Sequence, residues 1–218
     1  MKAADTGAYT PPLGYEILTP LYDSAIRYLT REKIWRTALV EQINPQVDDR
    51  ILDVGCGTGS LLAALSQRCP NAEYVGLDPD AHALNRASEK IENRNVSFAH
   101  GFLAEAALPN GWRPTKIVSS LMFHQVPLAQ KRQIIETMRT LLGLTGEVHI
   151  ADYAMQTSHL MRAAFRMTVQ LLDGVEDTQH NADGILEKML MLPGYQTEKT
   201  ATFWTATGAI ALFKVKSV

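Results

Sequence analysis

Cysteine is scarce. The chain of 218 residues holds two, Cys56 and Cys69, too few for a disulfide framework or a cysteine metal cage. No Asp, Glu or His spacing has the pattern of a metal site, so none is expected. Basic runs are missing as well. The formal net charge is -2, which gives no general attraction for nucleic acid or an anionic membrane. No apolar run has the length of a membrane span. The opening residues, Met1-Lys2-Ala3-Ala4-Asp5, lack the apolar stretch of a secretory signal. Internal repeats are absent too. What remains is one globular domain of ordinary composition, 46% hydrophobic and 20% charged, expected in a reducing cytoplasm.

What is present is a dense cluster of glycine. Residues 51 to 60 read Ile51-Leu52-Asp53-Val54-Gly55-Cys56-Gly57-Thr58-Gly59-Ser60. An apolar run ends in an acid, glycines alternate with small residues, and a helical pattern begins. Such a turn lets backbone approach a ligand closely. A second acid, Asp78, ends the next apolar run, Tyr74-Val75-Gly76-Leu77. A carboxylate after a second strand suits ribose hydroxyls, which donate hydrogen bonds to it. The dinucleotide fingerprint wants its third glycine where Ser60 stands. Asp53 is moreover a poor neighbour for pyrophosphate and a good one for an ammonium. These residues disfavour a nicotinamide-dependent dehydrogenase, which stays the rival reading beside a non-catalytic scaffold. They suit S-adenosylmethionine, which pairs adenosine with an amino-acid ammonium and has no phosphate.

Strand-like and helix-like patterns alternate through the centre. Strands are expected at Arg50 to Val54, Glu73 to Leu77, Val96 to Ala99, Lys116 to Ser120 and Glu147 to Asp152. Helices are expected at Ser60 to Arg68, at Asp80 to Glu92 and around Ile134 to Leu142. This alternation argues a parallel sheet covered on both faces. Before it, Leu21, Tyr22, Ala25, Ile26 and Leu29 share one helical face, and Ile34, Trp35, Ala38, Leu39 and Ile43 share another. After it, one helical face runs through Leu160, Met161, Ala164, Phe165, Thr168, Leu171 and Leu172, with Arg162, Arg166 and Asp173 opposite. His180, Asn181 and Asp183 read as a polar loop. Two β-like runs, Glu198 to Trp204 and Ala209 to Val215, flank a turn at Thr205 to Gly208.

Asp53 to Gly59 resembles motif I of the class I S-adenosylmethionine-dependent methyltransferases. The segments Leu21-Tyr22-Asp23, Ser119 to His124 and Ile150 to Tyr153 are most similar to the ubiquinone- and menaquinone-biosynthesis branch. The resemblance implies an α/β, Rossmann-like, seven-stranded, mostly parallel sheet with helices on both faces and a C-terminal antiparallel hairpin. It implies one domain over residues 1–218. Residues 1–45 would be helices covering the cofactor, 50–153 the cofactor-binding core, 154–195 a helical substrate cap and 196–218 the hairpin.

Cofactor contacts are expected from Tyr22, Asp53, Gly55, Gly57, Thr58, Asp78, Pro79, Gly101, Phe102 and Ser119. Asp78 can instead cap the helix that follows, though Asp80 can also do so. Phe102 stands where the family usually places an acid for the adenine amine, so packing on adenine or plain burial is expected instead. The family signature Asn/Asp-Pro-Pro-Tyr/Phe is absent, and Ser119-Ser120 begins that segment, which disfavours adenine and glutamine side chains as acceptors. The net charge of -2, the missing basic stripe and the apolar segment Leu160 to Leu172 lead to the expectation of a small, partly apolar metabolite rather than nucleic acid. Met161 and Phe165, with Met167, are expected to line its pocket. His124, four residues past the fourth strand, is the candidate general base, with helix capping as its alternative. His159 and His180 are weaker candidates. Oligomeric state stays open.

Overall fold

The computed structural model describes residues 28–103, 108, 111–142, 146–191 and 194–217. Tyr22 and most of the first expected helix lie outside the described residues. The first described helix, α1 (Glu32–Ile43), buries Trp35, Leu39 and Ile43, one residue per turn. It ends at Asn44, whose left-handed φ of 44° lets its N–H reach Val40 O.

Five parallel strands follow: β1 (Arg50–Val54), β2 (Glu73–Asp78), β3 (Val96–His100), β4 (Lys116–Ser120) and β5 (Glu147–Tyr153). Helix α2 (Ser60–Arg68) joins β1 to β2, α3 (Ala81–Lys90) joins β2 to β3, and α4 (Leu128–Leu142) joins β4 to β5. Then come α5 (His159–Met167), α6 (Val169–Asp173), α7 (Val175–Ala182) and α8 (Ile185–Leu190). The chain closes with β6 (Tyr195–Thr205) and β7 (Gly208–Ser217).

The sheet order is β3-β2-β1-β4-β5-β7-β6. β7 runs antiparallel to both β5 and β6, so the seven-stranded, mostly parallel sheet with a terminal hairpin is present as expected. Alternate strand residues feed two cores. Ile51, Tyr74 and Val118 pack under α1, α2 and α3, while Leu52, Val54, Val75 and Ile117 pack under α4 and α8. Winding reverses between β1 and β4, so helices on opposite faces leave a crevice at the carboxyl ends of those strands.

Two local expectations are corrected. The long helix over residues 159–172 breaks at Thr168, at φ -118° and ψ -78°, into α5 and α6. Residues 180–183 are no loop. His180 and Asn181 belong to α7, and Asp183 is its C-cap. Polar composition misled there because the buried face of α7 is itself polar.

Gly76 in β2 has no room for a side chain. A methyl there would lie 2.7 Å from Leu62 Cδ1, 2.8 Å from Phe98 Cδ1 and 2.9 Å from Cys56 Sγ. Gly76→Ala is expected to destabilise the fold by about 1–3 kcal/mol, the usual cost of overpacking. Urea unfolding that shows no lowered midpoint would contradict this packing.

Candidate active site

The glycine loop leaves the end of β1 and is pinned to the end of β2. Gly55 N and Cys56 N both donate to Leu77 O, at 2.8 and 3.1 Å. Gly57 N donates to Asp78 Oδ2 at 2.8 Å. The two leading glycines serve different ends. A Cβ on Gly55 would fall 2.5 Å from Met122 Cγ, so Gly55 admits the loop that follows β4. A Cβ on Gly57 would meet nothing within 4 Å, and φ there is 52°. Gly57 therefore presents bare backbone to open space. Gly101 does the same at φ 132°. Thr58 is held through its carbonyl, which accepts from Lys90 Nζ at 2.6 Å.

Asp78 also accepts from Asp80 N through Oδ1, at 2.9 Å. Each oxygen thus has one donor and a further lone pair. Asp80, not Asp78, caps α3, accepting from His82 N and Ala83 N. Pro79 lies between them, and its carbonyl is 3.0 Å from His100 Nε2. Gly101 N donates to Asp78 O at 3.0 Å. Beside it, Phe102 is 45% exposed rather than core.

Asp53 is unlike Asp78. It is wholly buried in β1, and neither carboxylate oxygen has a hydrogen-bond partner among the described residues. Burial, opposed by the Arg36 charge and reinforced by Asp78, pushes its pKa up to about 7. A buried acid without donors is costly, and such groups concentrate at functional sites.

Across the crevice, Ser119 Oγ donates to Val54 O at 2.8 Å and ties β4 to β1 where their ladder ends. Leu121 follows at φ 52°, a strained setting for a leucine, with its N–H on Ala151 O. A short 3-10 turn, Phe123–Gln125, then places His124 beside β5. There Asp152, wholly buried, accepts from Phe123 N and Tyr153 N at 2.7 Å each, and from Asn181 Nδ2 at 3.3 Å. Its Oδ1 is also 3.0 Å from His124 Nδ1. The other imidazole nitrogen lies 3.5 Å from Asp173 Oδ2. Lys131, wholly buried on α4, donates to Asp177 O at 2.8 Å. Burial, opposed by Asp152 and Asp177, lowers its pKa to about 8.

Residues 51–146 match the family described as methyltransferase domain. The match runs from β1 through α4 and stops just before β5. An uncharacterized methyltransferase of Bacillus pumilus is 26% identical over 173 residues, 76% of this chain and 79% of that one. An rRNA adenine N-6-methyltransferase of Clostridium perfringens is 28% identical over 50% of this chain and 44% of its own. Among solved structures, the plantazolicin methyltransferase BpumL, with a pentazolic desmethylPZN analog and SAH, has a TM-score of 0.64. Its identity is 15%, covering 92% of this chain and 90% of that chain. Magnesium protoporphyrin IX methyltransferase from Synechocystis PCC 6803, with SAH, has a TM-score of 0.66 and 19% identity over 86% and 84% of the two chains.

The protein is thus an enzyme, a methyltransferase that uses S-adenosylmethionine. The family match removes the dehydrogenase reading. In this methyltransferase the fold gathers Asp53, Gly57, Thr58, Asp78, Pro79, Gly101 and Phe102 around the ends of β1 to β3, with Ser119 opposite. No described helix is long and apolar enough to cross a membrane, and no His, Cys, Asp and Glu cluster among the described residues suits a metal.

The acceptor-side expectations are met less directly. His124 is 3% exposed with a carboxylate at each ring nitrogen. Burial opposes its charge, but Asp152 and then Asp173 outweigh burial and push its pKa up to about 9. With a carboxylate at each ring nitrogen, His124 bridges β5 and α6, and a general-base role would require it to give up one of these contacts. Phe165 is 1% exposed and lies edge-on to Tyr153, with centroids 5.1 Å apart, so it is core beneath the cap. Met161 is half-buried, and Met167 is 75% exposed on the outer surface.

The polar cluster of Lys131, Asp152, Asp173 and Asn181 escaped sequence reasoning. One signal was present: Lys131 falls on the buried stripe of α4 with Ile135 and Met138. Asp152→Asn keeps the shape but loses the charge that holds four N–H donors. It is expected to destabilise the methyltransferase by roughly 3–5 kcal/mol, the cost of breaking one side of a buried ion pair. An unchanged denaturation midpoint would remove Asp152 from this structural role.

Proposed function

We propose that this methyltransferase acts on a small, partly apolar metabolite held under the cap of α5 to α8. The observation that supports it most is the cap itself. It interrupts the sheet between β5 and β6, lies on the carboxyl edge, and turns Phe165, Val169, Leu186 and Leu190 inward. Two proteins of the same fold are named for methylating plantazolicin and magnesium protoporphyrin IX, which fits the reading. The quinone-biosynthesis branch suggested by Ser119 to His124 and Ile150 to Tyr153 is one form of it. A reducing, cytoplasmic setting suits Cys56 and Cys69, both buried free thiols. An RNA acceptor is the second reading, favoured by the rRNA methyltransferase relative. The net charge of -2 and the missing Asn/Asp-Pro-Pro-Tyr/Phe signature weigh against it.

The cofactor, when bound, supplies a methyl group already activated on a positively charged sulfur. In our reading the orphaned Asp53 pairs with its ammonium. Asp78 uses its spare lone pairs for the ribose hydroxyls while its bonds to Gly57 and Asp80 keep it aimed. The open spaces at Gly57 and Gly101 admit close backbone approach, Thr58 and Pro79 shape the walls, and Phe102 offers a face to adenine. Gly55 and Ser119 contribute by holding the β1–β4 crevice, and Tyr22 is assigned to the methionine end. Met161 lines the acceptor side. The protein's work is then orientation and exclusion of water, for which about 7–11 kcal/mol of barrier is attainable.

Two expected outcomes test this reading. With Asp53 ionising near pH 7, its pKa is raised, so the unliganded fold loses stability as pH climbs from the ordinary carboxylate range through about 7. S-adenosylhomocysteine affinity is expected to rise over that climb, because the ammonium needs the ionised carboxylate. Asp53→Asn should flatten this pH profile, and Asp78→Ala should weaken binding by about 1.5–3 kcal/mol. Calorimetry that finds both variants folded and binding like wild type would defeat the assignment.

For the acceptor, a metabolite library scored by S-adenosylhomocysteine release, with mass spectrometry of products, is expected to yield a methylated small molecule. Salt-sensitive binding and methylation of RNA, with an empty metabolite screen, would overturn the proposal.

A further inference from the structure

Asp173 ends α6, on the helix face that sequence pattern assigns to solvent. Its side chain is only 14% exposed, and its Oδ2 lies 3.5 Å from His124 Nε2. The imidazole is therefore held between a strand and the cap: Asp152 of β5 on Nδ1, Asp173 of α6 on Nε2. The two acids are not equivalent. Asp152 has three further N–H donors and is fixed by them. Asp173 reaches the site through a corner, since Gly174 follows at φ 83° and ψ 159°, a conformation reserved to glycine.

The cap's other polar ties to the sheet and its loops run through α7 and α8, where Glu187 accepts from Met155 N at 2.8 Å. Asn181 Nδ2 bonds Asp152 and, at 3.0 Å, Tyr153 O. Lys131 bonds Asp177 O. For α6, the ion pair with His124 is the corresponding tie. Tyr153 stands edge-on to His124, with centroids 4.9 Å apart, and edge-on to Phe165 of α5. The position of His124 is thereby passed to the apolar underside of the cap.

We propose that Asp173 is a positioning residue for methyl transfer: through His124 it seats α6 on the carboxyl edge of β4 and β5, and so sets the acceptor side of the site. The significance for catalysis rests on the reading that the acceptor binds beneath the cap. The seating itself does not.

The groups facing His124 are Asp152 and Tyr153 from β5 and Asp173 from α6, and Lys131 of α4 lies near enough to Asp152 to feel its charge. The pKa of His124 is raised in the fold, to about 9. Its contribution is complete below the ordinary histidine value, about 6.5, and is lost as pH rises through about 9. Lys131, lowered to about 8, works in the opposite sense in its own window, so the readout must follow His124 directly.

The experiment compares full-length wild type, Asp173→Asn and Asp173→Glu by three measurements: NMR titration of the His124 ring, hydrogen exchange of backbone amides, and calorimetry with S-adenosylhomocysteine. Asp173→Asn is expected to lower the His124 midpoint and cut protection in α5 and α6 by about tenfold or more. Protection in β1 to β4, and S-adenosylhomocysteine affinity, should hold within about twofold. Asp173→Glu restores the carboxylate and should recover both. In wild type, raising the pH through the His124 midpoint should selectively loosen α6, an arm that stands if Asp173→Asn does not fold.

An unmoved His124 midpoint, unchanged cap protection, uniform loosening of the whole fold, or no recovery with glutamate each overturns the proposal. With an acceptor in hand, Asp173→Asn should raise its KM at unchanged cofactor affinity. An empty acceptor screen would count against the small-molecule reading and leave the exchange result to judge the seating.

Discussion

A wholly buried carboxylate at the end of β5 joins three parts of this enzyme. Asp152 takes N–H donors from the turn after β4, from its own strand and from α7, and it balances the His124 cation. Parallel strands end with backbone groups that no neighbour satisfies, and the carboxyl edge is where the chain must turn away. One anion at that edge meets several of these needs at once. Its charge then demands a buried cation, and the cation admits a second acid from the cap. The helical cap is attached to the sheet through this chain of obligations as well as through apolar packing.

The crevice between β1 and β4 shows the opposite arrangement. Asp78 is satisfied by Gly57 N and Asp80 N and keeps the glycine loop in place. Asp53, one strand over, has no donor among the described residues and stays buried with an elevated pKa. A fold that satisfies one acid and leaves its neighbour bare directs ligand charge to one point. Asp78 would be kept by any protein that needs this loop. A bare buried acid calls for a cationic group, which in the proposed reading the methyl donor's ammonium would supply.

Much of this was legible from residues alone. The spacing from Asp53 to Gly59, and Asp78 at the end of the next apolar run, located the glycine loop and its pin on β2 because strand-to-helix turns and their glycines are local. Alternating apolar runs gave the order of strands, and Thr205 to Gly208 marked the hairpin, since both depend on neighbours in sequence. The surroundings of His124 were not legible: as a base or as a helix cap it was read without Asp152 and Asp173, which are 28 and 49 positions away, and nothing local reports a carboxylate at each nitrogen. Residues 180–183 looked like a loop because helix α7 buries amide and hydroxyl groups, Asn181 and Thr178, rather than aliphatic ones.

The sequence by itself determined the sheet, the glycine loop and the class of cofactor, because these follow from backbone freedom, period-two burial and charge within a short stretch. Only the tertiary structure decided which acids are satisfied, which are bare, and which of them meet a histidine. Those properties depend on desolvation and on partners brought together from distant parts of the chain, and both exist only once the helices of the cap have closed on the sheet.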